Sequence, residues 1–213
     1  MNNSNIVITI SRQVGSGGNY LGQRLAKKLN LLYMDDEIVG EAAKDMGTSI
    51  EDIESNDEKE SGIWKNLLSY SSRGSFEYSP EIVIITSEAA HKAESNVIEK
   101  VAKEKSAVII GRAGSFVLRN HPRHASIFLH ADLDFRKKRT QELNNISENE
   151  ALSLIEKTDK ERIKFYKVFT GKDMYNACSY DLSLNTSKLG FEKTEALIIK
   201  YLRERFGDEL YFR

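Results

Sequence analysis

The strongest constraint on the fold lies close to the N-terminus. Ile6-Val7-Ile8-Thr9-Ile10 is an almost unbroken β-branched run, the composition of a strand buried on both faces, as in a parallel sheet. It leads into Ser11-Arg12-Gln13-Val14-Gly15-Ser16-Gly17-Gly18-Asn19, a segment too rich in glycine to be helix or strand. Beyond it Tyr20, Leu21, Leu25, Ala26 and Leu29 form a one-sided helical stripe, with Lys27 and Lys28 outside it. A second apolar run, Leu31-Leu32-Tyr33-Met34, ends at Asp35-Asp36. Strand, glycine loop, helix and strand are the opening of an α/β domain.

The remaining chain continues the alternation. Strands are predicted at Ala107–Ile110, Ala125–His130 and, more briefly, Leu182–Leu184. Helices are predicted from Pro80, a suitable first helical residue, to about Lys105, through the charged stretch Asp134–Lys172, and over Gly190–Phe206. Between Glu37 and about Ser79 the chain turns polar and acidic before Trp64, Leu67, Leu68 and Tyr70. That stretch reads as an insertion packed on the edge of a core. A length of 213 residues accommodates one domain with such insertions.

Charge and composition exclude several classes. Lys and Arg number 31 against 32 Asp and Glu, a net charge of −1, so no bulk field draws the chain to nucleic acid or to an anionic membrane. The longest apolar runs, among them Ile82–Ile85, fall far short of the roughly 18 residues of a membrane span. The segment before the first strand lacks the pattern of a secretory signal. The single cysteine, Cys178, excludes an intrachain disulfide and most structural zinc sites. His91, His121, His124 and His130 lack metal-ligand spacing, and no metal-binding set is expected. The expectation is a soluble, cytoplasmic globular protein without nucleic-acid or membrane partners.

Chemistry concentrates at predicted strand ends. Glycines between a buried strand and a helix let backbone N–H groups converge on an anion, and the helix N-terminus adds partial positive charge. A dinucleotide loop needs G-x-G-x-x-G, and Tyr20 stands at the third glycine. Against the mononucleotide pattern G-x-x-x-x-G-K-[ST], Arg12 replaces the first glycine, Gly18 the lysine and Asn19 the hydroxyl residue. Arg12 or Arg24 is a candidate to restore the missing positive charge. Asp35-Asp36 can hold Mg2+ through water, orient an acceptor oxygen, or cap the next helix. Arg112, after Gly111, is placed to grip a phosphate or carboxylate. Arg136 and Arg139 share a helix face, and Asp159 and Arg162 repeat that spacing. A mobile arm with such arginines can close over a polyphosphate.

Six segments, in order along the chain, resemble the cytidylate kinase-like family. They are Ile8–Gly18; Leu21-Gly22 with Leu25-Ala26 and Leu29; Tyr33–Ile38; Val108–Ala113; Phe135–Arg139; and Tyr180–Thr186. The resemblance implies a three-layer α/β P-loop kinase fold with a five-stranded parallel sheet, inserted monophosphate-binding helices and a helical lid. The single domain then divides into a core (1–35, 80–138 and 174–213), an insertion (36–79) and a lid (139–173). It also implies phosphoryl transfer from ATP with Mg2+ to CMP or dCMP. In that scheme Gly15, Ser16, Gly17, Gly18 and Asn19 hold the donor phosphates, and Arg12, Arg136, Arg139 and Arg162 neutralise charge in flight. Asp35, Arg112 and Asp159 serve the acceptor side. The chain departs from the family pattern in the absent loop lysine, in Ala113 where Gly-Arg-Asp is usual, and in a lid sparser in arginine. These departures leave open a different phosphate acceptor, or a nucleotide-binding sensor with little catalysis.

Overall fold

The computed structural model describes residues 5–51 and 88–207. The elements in chain order are β1 (Val7–Arg12), α1 (Gly18–Leu29), β2 (Leu32–Met34), α2 (Asp36–Glu51), α3 (Glu88–Glu104), β3 (Ala107–Ile110), α4 (Gly114–Val117), β4 (His124–His130), α5 (Leu133–Asn144), α6 (Glu148–Thr170), β5 (Leu182–Asn185), α7 (Thr186–Leu189) and α8 (Phe191–Phe206). A single 3-10 turn, Ala177–Ser179, precedes β5.

The strands form one parallel sheet in the order β2-β3-β1-β4-β5. Every residue of β1 is buried, as its β-branched composition demands for the central strand of a covered sheet. In register, Ile8 sits beside Val108 on one side and Ala125 on the other. Helices cover the sheet: Leu21 and Leu25 of α1, Ile98 of α3 and Ile198 of α8 join Ile8, Ile10, Ile109 and Ile127 in one continuous core. Glu195 of α8 clamps α1 from outside, accepting from Arg24 at 2.5 Å and Lys28 at 2.9 Å. Arg24 is thereby committed to the α1–α8 contact and does not supply the loop charge.

One departure from the predicted elements has a local cause. The helical stretch Asp134–Lys172 is two helices, because Asn145 takes a left-handed conformation (φ 52°) and Ser147 starts a new helix. Ser147 and Glu150 cap each other reciprocally, a Ser-x-x-Glu signature present in the sequence. Pro80, Trp64, Leu67 and Leu68 lie outside the described residues, as does most of the expected insertion. Among the described residues no helix is long and apolar enough to cross a membrane.

β1 lies between β3 and β4, so the chain leaves the sheet in opposite directions from this centre. The crevice this creates at the carboxyl ends is where open α/β sheets bind ligands. The glycine loop, Asp35-Asp36 and Gly111-Arg112 all fall at that edge.

Candidate active site

The glycine loop is shaped from within and below. Gly17 is the N-cap of α1 in the left-handed region (φ 83°), with no side-chain cap on the helix amides. A Cβ there would meet the Phe191 ring at 2.3 Å, so both backbone and packing require glycine. The Ser16 hydroxyl donates to the Gln13 carbonyl at 2.8 Å, and Thr186 donates to the Ser16 carbonyl at 2.9 Å. Beneath the loop, the Asp159 carboxylate accepts from the Val14 N–H at 2.8 Å and from Arg136 at 2.6 Å. Arg136 also reaches the Val14 carbonyl at 3.4 Å. Arg162, one turn on from Asp159, donates to the Arg12 carbonyl at 3.4 Å. Helix α6 is therefore docked on the loop through two of its residues.

Two clefts meet at this edge. One, of about 390 Å3, is walled by Gly15, Gly17, Gly18, Asn19 and Arg139. The other, of about 430 Å3, is walled by Asp36, Arg112, Ala113, Phe165, Tyr166 and Met174. Arg12 and Arg162 line both. The arrangement suits a reaction between two anionic partners, with cations where they meet.

Arg12 sits across the position a loop lysine would use. Its stem packs against Gly18, where a Cβ would lie only 2.7 Å from Arg12 Cγ. Its guanidinium donates to Asp36 at 2.7 Å. Burial works against that charge, yet Asp36 outweighs it and the Arg12 pKa is raised. Burial likewise disfavours the Asp36 carboxylate, but Arg12, Arg112 and Arg162 hold it down at about 2. Asp36 thus stays ionised between Arg12 and Arg112, whose Nε is 4.0 Å away. The buried Nε donors of Arg12 and Arg112 have no hydrogen-bond acceptor among the described residues. Buried donors of this kind normally have partners, and an anion in the cleft would supply them.

Arg112 is fixed by its backbone. Gly111, Arg112 and Ala113 all have positive φ, at 77°, 51° and 51°. Strain of this kind persists where surrounding structure over-determines it, often at ligand clamps. The Arg112 guanidinium lies over the Phe165 ring at 5.5 Å and 3.3 Å from Glu94.

The expected site residues divide into three groups. Gly15, Gly17, Gly18, Asn19, Arg12, Arg112, Arg139 and Arg162 line the clefts. Ser16 is fully buried and braces the loop. Asp35, Arg136 and Asp159 are placed differently from the expectation. Asp35 is buried and its carboxylate caps α2 through the Ile38 N–H, and it is Asp36 that lines the cleft with Arg112. Arg136 and Asp159 pair beneath the loop, because the Val14 N–H and the arginine together satisfy that buried carboxylate. Arg139 stacks on Phe191 at 4.5 Å and Tyr20 at 5.6 Å. The sequence gives Glu94, Phe165, Met174 and Phe191 no site signal: the apolar three read as ordinary packing and Glu94 as a solvated helix face.

No group of three His, Cys, Asp or Glu side chains among the described residues is placed to hold a metal. Asp36 is engaged by arginines.

The glycine loop, the arginine-lined junction and the sheet order define a P-loop kinase fold, the scaffold of a nucleotide or small-molecule phosphotransferase. The model of the cytidylate kinase-like family matches residues 7–188, and the chain belongs to that family. It is 27% identical over 194 residues to the cytidylate kinase of Pyrococcus horikoshii, covering 91% of this chain and 86% of that one. It is 25% identical over 202 residues to that of Methanopyrus kandleri, covering 91% of each. A crystal structure of an uncharacterized protein from Eubacterium ventriosum superposes with a TM-score of 0.72 at 25% identity, over 94% of this chain and 99% of that one. Shikimate kinase from Acinetobacter baumannii, in complex with shikimate, shares the fold at a TM-score of 0.50 and 14% identity, over 95% of each chain. Membership of a kinase family implies ATP and Mg2+ in general terms.

Proposed function

We propose that this protein transfers the γ-phosphoryl group of MgATP to a nucleoside monophosphate, CMP or dCMP. The observation that carries the reading is the pair of clefts sharing Arg12 and Arg162, with buried Nε donors of Arg12 and Arg112 that have no acceptor among the described residues. The loop amides from Gly15 to Asn19 hold the donor phosphates at the N-terminus of α1. Arg112 grips the acceptor phosphate, and the aromatic wall of Phe165 and Tyr166 lies against the base. Arg12 supplies between the two the charge that a loop lysine supplies elsewhere, with Arg162 and Arg139 closing from α6 and α5. Asp36 orients Arg12 and Arg112, while Arg136 and Asp159 hold the loop in shape. Phosphoryl transfer needs positioning and charge neutralisation more than covalent help, and these residues provide both.

A second acceptor class has its own support. Ala113 gives the acceptor cleft an apolar floor with Phe165, Tyr166 and Met174, where the family pattern has a carboxylate. That wall also suits a small phosphorylated compound other than a cytosine nucleotide.

A coupled ADP-release assay with MgATP and a panel of nucleoside monophosphates and sugar phosphates tests the reading. ADP release with CMP or dCMP, reduced about 100- to 1,000-fold by Arg12→Ala with the fold intact, is expected. Turnover confined to a non-nucleotide phosphate would establish the second acceptor class. Thermal stabilisation by ATP without turnover on any acceptor would make the protein a nucleotide sensor. An unchanged rate in Arg12→Ala would remove Arg12 from the chemistry.

A further inference from the structure

Glu94 is the most anomalous side chain near the site. It lies on α3, is fully buried, and neither carboxylate oxygen has a hydrogen-bond partner among the described residues. Its counter-charge is Arg112, at 3.3 Å, the arginine that lines the acceptor cleft. A buried carboxylate with no donors is costly unless a cation compensates it. Glu94 is therefore balanced by a group that also faces ligand.

The surroundings sharpen the point. Among the described residues, the charged groups that act on Glu94 are Arg112, which follows β3, and Asp36, which opens α2. His91, one turn earlier on α3, is stacked on Phe169 at 3.9 Å and set edge-on to Phe165 at 5.5 Å. Burial and the nearby Arg112 both lower its pKa, so it stays neutral near pH 7. Arg12, Asp36, Arg112 and Glu94 form a chain of alternating charge that runs from the glycine loop into the interior. An anion bound at Arg112 draws that guanidinium toward itself and adds negative charge to the same chain. Both effects act on Glu94 in one direction.

We propose that Glu94 is a positioning residue that holds Arg112 in the cleft wall and takes up a proton when an anionic acceptor engages that arginine. The proposal rests on the reading of this cleft as the acceptor-phosphate site. In that geometry burial pushes the Glu94 carboxyl up to about 7, against the pull of Arg112 and with the repulsion of Asp36. The proton is then exchangeable near neutrality. Weaker pairing and an added anion raise it further, so binding is accompanied by proton uptake and weakens as pH rises.

Calorimetric titration of the full chain with CMP and dCMP, in buffers of different ionisation enthalpy from pH 7 to 8.5, tests this. A nucleotide phosphate is already dianionic over most of that range and contributes little. Wild type is expected to take up protons on binding, with affinity falling toward tenfold per pH unit. Glu94→Gln, which mimics the protonated form, is expected to bind with no proton uptake and a flat pH profile. His91→Gln is expected to behave as wild type. No proton uptake in wild type overturns the proposal without need of any variant. Uptake that persists in Glu94→Gln, or that disappears in His91→Gln, overturns the assignment to Glu94. Absence of binding by both nucleotides and by inorganic phosphate, with the fold intact, overturns the acceptor-site reading and this proposal with it.

Discussion

Restoring the loop lysine by Gly18→Lys is expected to damage this protein, although the change moves the sequence toward the common phosphate-loop pattern. A Cβ at residue 18 would lie 2.7 Å from Arg12 Cγ and 2.8 Å from Arg12 Cβ, where ordinary contact begins at 3.4 Å. The Arg12 Cβ is held by the central strand, where Arg12 pairs with Leu129 of β4, so relief must come from displacing the start of α1 or the Arg12 side chain. Overpacking of this kind costs about 1–3 kcal/mol. For a chain of this size that lowers the melting temperature by roughly 2–12 °C. It also disturbs the 2.7 Å pair with Asp36 and reduces turnover. Arg12→Gly alone breaks that buried pair, a loss of about 3–5 kcal/mol. In the double variant Arg12→Gly with Gly18→Lys the steric conflict is gone. Its destabilisation is expected to fall short of the sum of the singles by about 1–3 kcal/mol, with turnover above either single. Chemical denaturation and the ADP-release assay on the four proteins complete the cycle. A Gly18→Lys protein as stable and as active as wild type, or strict additivity, would refute the mutual exclusion of Arg12 and a lysine at 18.

Two further outcomes follow from buried polar groups. Asp159→Ala leaves Arg136 and the Val14 N–H without their shared carboxylate; a loss of about 3–5 kcal/mol and a raised KM for ATP are expected, read by denaturation and steady-state kinetics. A KM unchanged in a folded variant would show that the loop keeps its shape without the brace. His124 is buried and bonded to the Thr9 hydroxyl at 2.7 Å, and burial lowers its pKa to about 4. The folded state binds its proton less readily than the unfolded chain does, so this contribution is complete above about pH 6.5 and is lost as pH falls toward 4. It amounts to about 3 kcal/mol. His124→Gln, able to keep a bond to Thr9, is expected to flatten the stability profile between pH 7 and 4, and an unaltered acid slope would count against this assignment.

The sequence carried the core of this architecture plainly. A β-branched run, a glycine loop and a one-sided helix leave few options, and β1, α1 and β3 lie where periodicity puts them. The division between α5 and α6 was also legible, in Ser147 and Glu150, because a capping box is a local signal. The comparable ambiguity at Asp35-Asp36 had no local answer. Either carboxylate can cap a helix, and only the start of α2 decides that Asp35 caps while Asp36 meets Arg12.

Tertiary structure decided the rest of the site. Asp159 and Arg136 share the spacing and charge of lid residues, but packing of α5 and α6 on the loop places them beneath it, where a backbone N–H needs an acceptor. Arg12 looked like a substitute for a lysine because of its position in a pattern. Its actual course depends on Gly18 and Asp36, which lie on other elements. Glu94 was invisible in sequence, since one acidic residue in a charged helix reads as solvated surface until the fold buries it against Arg112. The sequence determined the elements because hydrophobic period, glycine and caps act within a few residues. Only the tertiary structure decided which charges face one another, because burial and ion pairing are set by segments far apart in the chain.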